Sequence, residues 1–476
     1  MNTGVTRRAI VKGAIGTGWL ARLGFAQDPA PLALRLARLF NRVQYTDLPP
    51  AAIKHAKVII ASTLASAAPG TEIDSARIIR DLAKEAGGKP EASIWFDGAK
   101  LPLTAAARVN AMFSDAAASD DSDLRNVAHT GTCLTAAGLA IGEHTGASGQ
   151  DILTAMVTGY EAAGRIGQAL NNLRSGMHAS IIVAFGGVVA ASKLLKLTDE
   201  QMANAISMTA ASMGGLVIGT DSWAREYYAG NAAQAALNAA LAAGRGYVVN
   251  PDFLEAKGGF LELYGKGQGA PADVARPMGP DWDIVKYLAI KLVPGAHALH
   301  ASAEAAANAA RQGQVNPDDV AKILVSGPAK TSVQYNTRPP KDMIEAIHSL
   351  AYFVATGVAD RDFGWVHVTP EKIHNPVMIR LLGLVEPDPA PPAVHYDWSW
   401  GGTVTIVTKS GARFTSTVDA PKGSGPRGIE WNDVDTKYRA LIGDSHLPAQ
   451  RTEEILKTIH DFDQVKQAAQ FTRLLY

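Results

Sequence analysis

The sequence predicts a mostly α protein, with a large helical domain followed by a smaller α+β domain. Three observations predict this. Ala-rich amphipathic runs, separated by short Gly, Asn and Pro breaks, extend from about residue 31 to residue 291. Near Pro294 the texture changes and β-rich segments appear. The chain has 476 residues, more than one ordinary core organises, so two domains are expected.

The first element reads as an address. Residues 6–12 are Thr-Arg-Arg-Ala-Ile-Val-Lys, similar to a twin-arginine export signal. A weakly apolar stretch follows, and Gly24-Phe25-Ala26 suits a small-x-small cleavage site. With Lys12 and Arg22 inside it, the stretch is too polar and short to span a bilayer, and no later stretch is long and apolar enough. The expected mature chain starts near Gln27, in the periplasm or at the cell surface. Without the signal, the cytoplasm is the expectation.

Residues 27–290 form the expected helical domain. Ser148 with Asp151 and Thr198 with Gln201 have the spacing of capping boxes. Residues 291–430 form the expected α+β domain. Ala321 to Ser326 reads as a strand, and Thr403 to Thr408, Ser410-Gly411 and Arg413 to Val418 read as a hairpin. Helical runs lie around Ile344 to Val358 and Pro370 to Leu382. Residues 431–476 are polar and helical and are expected to return to the helical domain. Trp398 and Trp400 read as packing residues.

Composition excludes several functions. Lys plus Arg equals Asp plus Glu at 45 each, so no basic excess exists to hold a phosphate backbone. No glycine pair follows a strand in a dinucleotide-cradling pattern, and no P-loop occurs. Cys133 is the single cysteine, too few for a disulfide, a thiolate zinc site or an iron–sulfur cluster. It reads as a small buried residue.

Four segments concentrate polar chemistry. The densest runs from Ser119 through Asp120, Asp121, Ser122 and Asp123 to His129, within an otherwise apolar region. A histidine titrates near neutrality, and nearby carboxylates set its tautomer, so the cluster suits proton transfer. It reads equally as a solvated helix-capping loop. The other three are Gly176-Met177-His178, Ser222 to Asn231 with Arg225, and Lys291 through His297 to His300.

These segments, with Leu48-Pro49, Gly142 to Gly149, Gly159 to Arg165, Ala229 to Ala233, His348 to Tyr352 and Pro421 to Gly425, resemble the MmgE/PrpD family. That family includes 2-methylcitrate dehydratase, cis-aconitate decarboxylase and iminodisuccinate epimerase. The resemblance implies a large all-helical domain with a smaller α+β lid, a homodimer, an active site between the domains, and no metal or organic cofactor. It implies that His129, His178, Lys291, Tyr335, Asp121 and Ser122 are catalytic. It implies substrate-binding roles for Asp120, His297 and His300. Two departures stand out. Ala118-Ser119-Asp120-Asp121-Ser122 lacks the first aspartate of the family's acidic motif. Arg225 stands where the family usually has lysine. An arginine cannot act as a base but grips a carboxylate, so Arg225 is assigned to substrate binding.

The expected function is dehydration of a small di- or tricarboxylic hydroxy acid by acid–base chemistry. Epimerisation or decarboxylation of a related carboxylate would use the same groups. A non-catalytic carboxylate-binding protein is a rival from another class.

Overall fold

The computed structural model describes residues 30–170, 176–220, 222–265, 274–330, 338–396, 398 and 400–476. The expected export signal and Tyr335 lie outside these residues. From Pro31 to Tyr476 the chain is one compact unit with two hydrophobic cores.

The larger core is built by α1 (Leu32–Arg42), α2 (Pro50–Gly70), α3 (Asp74–Ala86), α4 (Leu103–Ala116), α5 (Thr130–Thr145), α6 (Gly149–Ala169), α7 (Ser180–Leu194), α8 (Asp199–Ser212) and α9 (Ala224–Gly244). Helix α7 is apolar all round and packs against α5, α6, α8 and α9, which is why it carries no polar stripe. Small residues let these helices approach closely. A Cβ on Gly159 of α6 would meet the carbonyl oxygen of Gly186 on α7 at 2.6 Å. Both capping boxes form, with Ser148 accepting from the Asp151 amide and Thr198 from the Gln201 amide. Residues from Ile429 to Leu475 rejoin this core.

The smaller core lies on a four-stranded sheet of order β6-β5-β7-β8. Its strands are β5 (Val320–Ser326), β6 (Val385–Pro387), β7 (Gly402–Thr408) and β8 (Arg413–Val418). β5 and β6 pair parallel, and the β7–β8 hairpin is antiparallel. The helix His300–Gln312 packs on β7 and β8, and the helix Leu350–Asp360 packs on it. The two expected helical runs are each broken once. Ser349 turns out of the helix and accepts the Tyr352 amide, which starts Leu350–Asp360 afresh. Pro376 begins a new helix behind the cap of Asn375.

Two short strand pairs depart from the helical reading of residues 31–291. β1 (Ala92–Ser93) pairs antiparallel with β2 (Lys100–Leu101). Asp121–Asp123 is a strand, β3, paired antiparallel with β4 (Leu288–Ile290). Ala118, with φ 50°, ends α4, and Val127, with φ 64°, closes the turn after β3. This pairing brings Lys291 alongside Asp120, although 171 residues separate them. Leu124, Ala289 and Trp400 make a small apolar cluster of their own.

The C-terminal segment docks without slack. A Cβ on Gly149 would lie 1.7 Å from the carbonyl oxygen of Phe462, and the Gly149 amide donates to Val465 O at 2.8 Å. Gly149→Ala is therefore expected to lower stability by roughly 1–3 kcal/mol through overpacking. Urea unfolding checks this, and an unchanged midpoint would contradict the close docking.

Candidate active site

The acidic cluster is buried, not a solvated loop. Asp120, Asp121, Ser122 and Asp123 are each at most 1% exposed. Asp120 Oδ1 accepts from Lys291 Nζ at 2.7 Å, and Oδ2 accepts from Thr132 Oγ1 at 3.0 Å. Burial works against ionising Asp120, but His129, Lys291 and Arg225 more than offset it and hold the carboxyl below its usual range. Asp121 goes the other way. Burial and the neighbouring Asp120 charge push its carboxyl up, although both its oxygens face the Gly131 amide at the start of α5. Its side chain thus anchors α5 and does not reach His129.

His129 is the N-cap residue of α5. Its Nδ1 lies 2.6 Å from the backbone oxygen of Asp121. A carbonyl only accepts, so Nδ1 holds the proton and Nε2 presents a lone pair. Ser122 Oγ stands 3.4 Å and Asp120 Oδ2 3.5 Å from the same Nδ1. Burial lowers the His129 pKa, with Asp120 opposing, so the ring is neutral at neutral pH.

His178 has the opposite tautomer. Its Nδ1 accepts the Ser180 amide at 3.2 Å and has Ser180 Oγ at 3.0 Å, which leaves the proton on Nε2. Burial lowers its pKa to about 4. His348, half-buried, sets its Nδ1 2.9 Å from Ile344 O, so Nδ1 carries a proton.

His129, His178, Arg225, Lys291, His297, His348 and Trp400 all line one cavity of about 450 Å³. It lies at the seam where residues of the two cores meet. Apolar side chains, among them Val127, Met177 and Val217, make up much of the remaining wall. His300 does not line this cavity. It borders a neighbouring one. Trp400, read from sequence as packing only, also walls the cavity.

Arg225 is tied into the fold as well as the cavity. Its Nη2 donates to the C-terminal carbonyls of α4, Asp115 O at 2.8 Å and Ala116 O at 2.9 Å, and its Nε is 3.3 Å from Asp115 Oδ2. The two-handed grip on a substrate carboxylate is therefore reduced to what Nη1 can offer.

Sequence reasoning missed Lys437. It sits on the helix Trp431–Leu441, 2% exposed, and its Nζ donates to Ser62 Oγ at 2.6 Å, to Ser119 O, and to Asp120 O at 3.4 Å. Burial lowers its pKa to about 7. Its signal was present: Val434, Lys437, Tyr438 and Leu441 share the buried face of one helix. Cys133 is free and buried, with its thiol pushed up to about 12 by burial. Asp115, Asp120 and His129 offer donor atoms within 4.8 Å of one another, the spacing of a cation site. Both carboxylates already face a cation, Lys291 or Arg225.

Two outcomes are expected. Asp120→Asn strands the buried Lys291 ammonium and is expected to cost roughly 3–5 kcal/mol in denaturant unfolding. A loss under 1 kcal/mol would show that Lys291 finds another partner. The second concerns His178. Its folded pKa of about 4 lies below the unfolded value of about 6.5, so the unfolded chain binds the extra proton between those limits. This group's contribution to stability is full above about pH 6.5 and is lost as pH falls toward 4. On going from pH 7 to 5 the parent is expected to lose about 1–2 kcal/mol more than His178→Gln. Parallel stability profiles would refute it.

The MmgE/PrpD N-terminal domain matches residues 34–272, and the MmgE/PrpD C-terminal domain matches residues 294–464. Human cis-aconitate decarboxylase is 25% identical over 438 residues, 89% of this chain and 90% of its own length. Cis-aconitate decarboxylase of Aspergillus terreus (strain NIH 2624 / FGSC A1156) is 25% identical over 408 residues, 79% of this chain and 82% of its own. Cis-aconitate decarboxylase-like protein oryM of Aspergillus oryzae (strain ATCC 42149 / RIB 40) is 23% identical over 468 residues, 91% and 95% of the two chains. The first matched domain supplies His129, His178 and Arg225 to the cavity, and the second supplies His297, His348 and Trp400. With both domains matched in order and together spanning most of its length, the chain belongs to the MmgE/PrpD family.

Proposed function

We propose that the protein is an acid–base lyase that removes carbon dioxide from a small unsaturated polycarboxylic acid of the cis-aconitate type. The observation that carries this reading is the bare Nε2 of His129 in one cavity with the cations of Lys291 and Arg225. The relatives' names favour decarboxylation over the dehydration expected from sequence.

The chemistry follows from the groups present. Arg225 and Lys291 draw substrate carboxylates into a largely apolar cavity. A bound carboxylate beside His129 favours its imidazolium, which Asp120 stabilises from 3.5 Å. When the C–C bond to the departing carboxylate breaks, its electron pair stays on carbon and spreads into the adjacent unsaturated carboxylate. His178, neutral and carrying its proton on Nε2, donates a hydrogen bond to that developing charge. The proton on His129 Nε2 then forms the new C–H bond, carbon dioxide leaves, and His129 takes one proton from solvent to restore the balance. Dehydration would use the same Nε2 in reverse, as the base. Tyr335 is retained in this proposal as a proton donor on the resemblance alone.

Two further parts of the proposal concern the whole protein. Leu216, Ile218, Trp223 and Tyr227 are exposed by 42–84% beside the cavity residue Val217 and support a homodimer. Export by the twin-arginine route rests on residues 6–26.

Proton NMR of the purified protein with cis-aconitate and 2-methylcitrate in heavy water tests the reading. The expected result is loss of carbon dioxide with one deuterium placed on the product carbon. His129→Asn is expected to lower kcat by roughly two to four orders of magnitude. Loss of water from the hydroxy acid alone would make the protein a hydro-lyase. Stoichiometric binding without turnover would make it a carboxylate-binding protein.

A further inference from the structure

After Lys291 the chain turns sharply at Gly295, whose φ of 95° and close neighbours admit no side chain. A Cβ there would lie 2.6 Å from Ile347 O. The 3-10 turn His297–Leu299 then leads into the helix His300–Gln312. Residues three apart on such a turn eclipse one another, and the rings of His297 and His300 face each other with centroids 4.7 Å apart. Both are at most 5% exposed.

The two rings look into different spaces. His297 lines the substrate cavity, and His300 lines a second cavity of about 230 Å³ with Glu304, Arg311, Asp362, Phe363 and Lys422. Arg311, Asp362 and Lys422 are exposed, so that cavity opens to solvent. The carbonyls of Pro294 and Gly295 accept from His300. Its Nε2 has no partner among the described residues, so the donor is Nδ1 and Nε2 is a bare acceptor. Neither ring nitrogen of His297 has a partner among the described residues. Three buried ring nitrogens without partners, in two adjacent rings, call for an explanation.

We propose that His300 is a positioning residue for His297: with the ring centroids already 4.7 Å apart, a small turn of either ring lets its bare Nε2 accept the His297 N–H. The order of donation then runs from His297 to His300 to the carbonyls of Pro294 and Gly295. It fixes the tautomer of His297 and leaves its other ring nitrogen as an unprotonated acceptor in a ring that lines the substrate cavity. Such an acceptor selects a hydrogen-bond donor on the ligand, a carboxylic acid proton or a hydroxyl. Burial lowers the pKa of both histidines, which keeps the rings neutral and the order of donation intact. The inference rests on reading the larger cavity as the substrate site.

Nitrogen NMR of the full chain labelled with 15N-histidine tests the arrangement without turnover. The expected result is His300 protonated on Nδ1 alone and His297 in a single tautomer. In His300→Phe, whose ring keeps the packing against Phe353, His297 is expected to become a mixture of tautomers. With a turned-over carboxylate, His300→Ala is expected to lower kcat roughly 10- to 100-fold, as losses of orienting partners do, with KM little changed. Added imidazole is expected to restore turnover, because it supplies an acceptor nitrogen, and pyrrole, of similar shape without one, is not. His300 protonated on Nε2, an unchanged His297 tautomer in His300→Phe, or equal effects of imidazole and pyrrole would each overturn the proposal. Should the parent turn over no carboxylate, the reading of the larger cavity fails, and the nitrogen spectra still decide the role of His300.

Discussion

The buried pair of Asp120 and Lys291 is the interaction on which the rest of the site depends. Each residue is at most 2% exposed, and each stands at the edge of a three-residue strand too short to be stable alone. The β3–β4 pairing is what brings them together, and the Lys291 amide also donates to Asp120 O at 3.1 Å. A buried ion pair is weak evidence for stability, because desolvation offsets much of the attraction. Its value here is positional. It joins a segment between α4 and α5 to the segment that enters the smaller core, so the groups facing the cavity keep one register.

Around that pair the cluster keeps its charges paired or neutralised. Asp121 is pushed toward its neutral form, while Asp120 is held ionised by its cationic neighbours. Lys437 spends its ammonium on Ser62 Oγ and two backbone carbonyls from the same acidic turn. Three histidines of the cavity are pushed toward neutrality by burial. A carboxylate entering such a site finds neutral rings, with the tautomers of His129 and His178 already chosen, beside the cations of Lys291 and Arg225. Little reorganisation is left for the reacting step, which is the condition for electrostatic stabilisation to be effective.

Much of the fold was legible because its signals are local. Capping boxes, apolar periodicity and the β7–β8 hairpin each depend on residues within one element. The strand β3 was not legible for a physical reason. Asp121, Ser122 and Asp123 contain no apolar residue, yet all are buried, because ion pairs and hydrogen bonds replace the usual apolar contacts. The choice left open for the acidic cluster was a choice between solvent and long-range partners, and those partners are Lys291 and Lys437. His129, His178, Arg225, Lys291 and His297 do converge on one cavity. His300 was grouped with them by the family resemblance, but one 3-10 turn carries it to the next cavity.

Arg225 shows how a change of residue type alters what a site asks of a cation. A lysine at this position would bring a compact ammonium with three donors on one nitrogen. The planar guanidinium has separate edges and uses one of them to hold the final carbonyls of α4, where the helix dipole is negative. The end of α4 leads directly through Ala118 into the acidic turn, so Arg225 braces the backbone that positions Asp120. Its charge also helps to hold Asp120 ionised. The residue therefore acts on the site in two ways, through the cavity wall and through the support beneath the carboxylate. Replacing it by alanine would disturb both, whereas lysine would retain the charge and give up the brace.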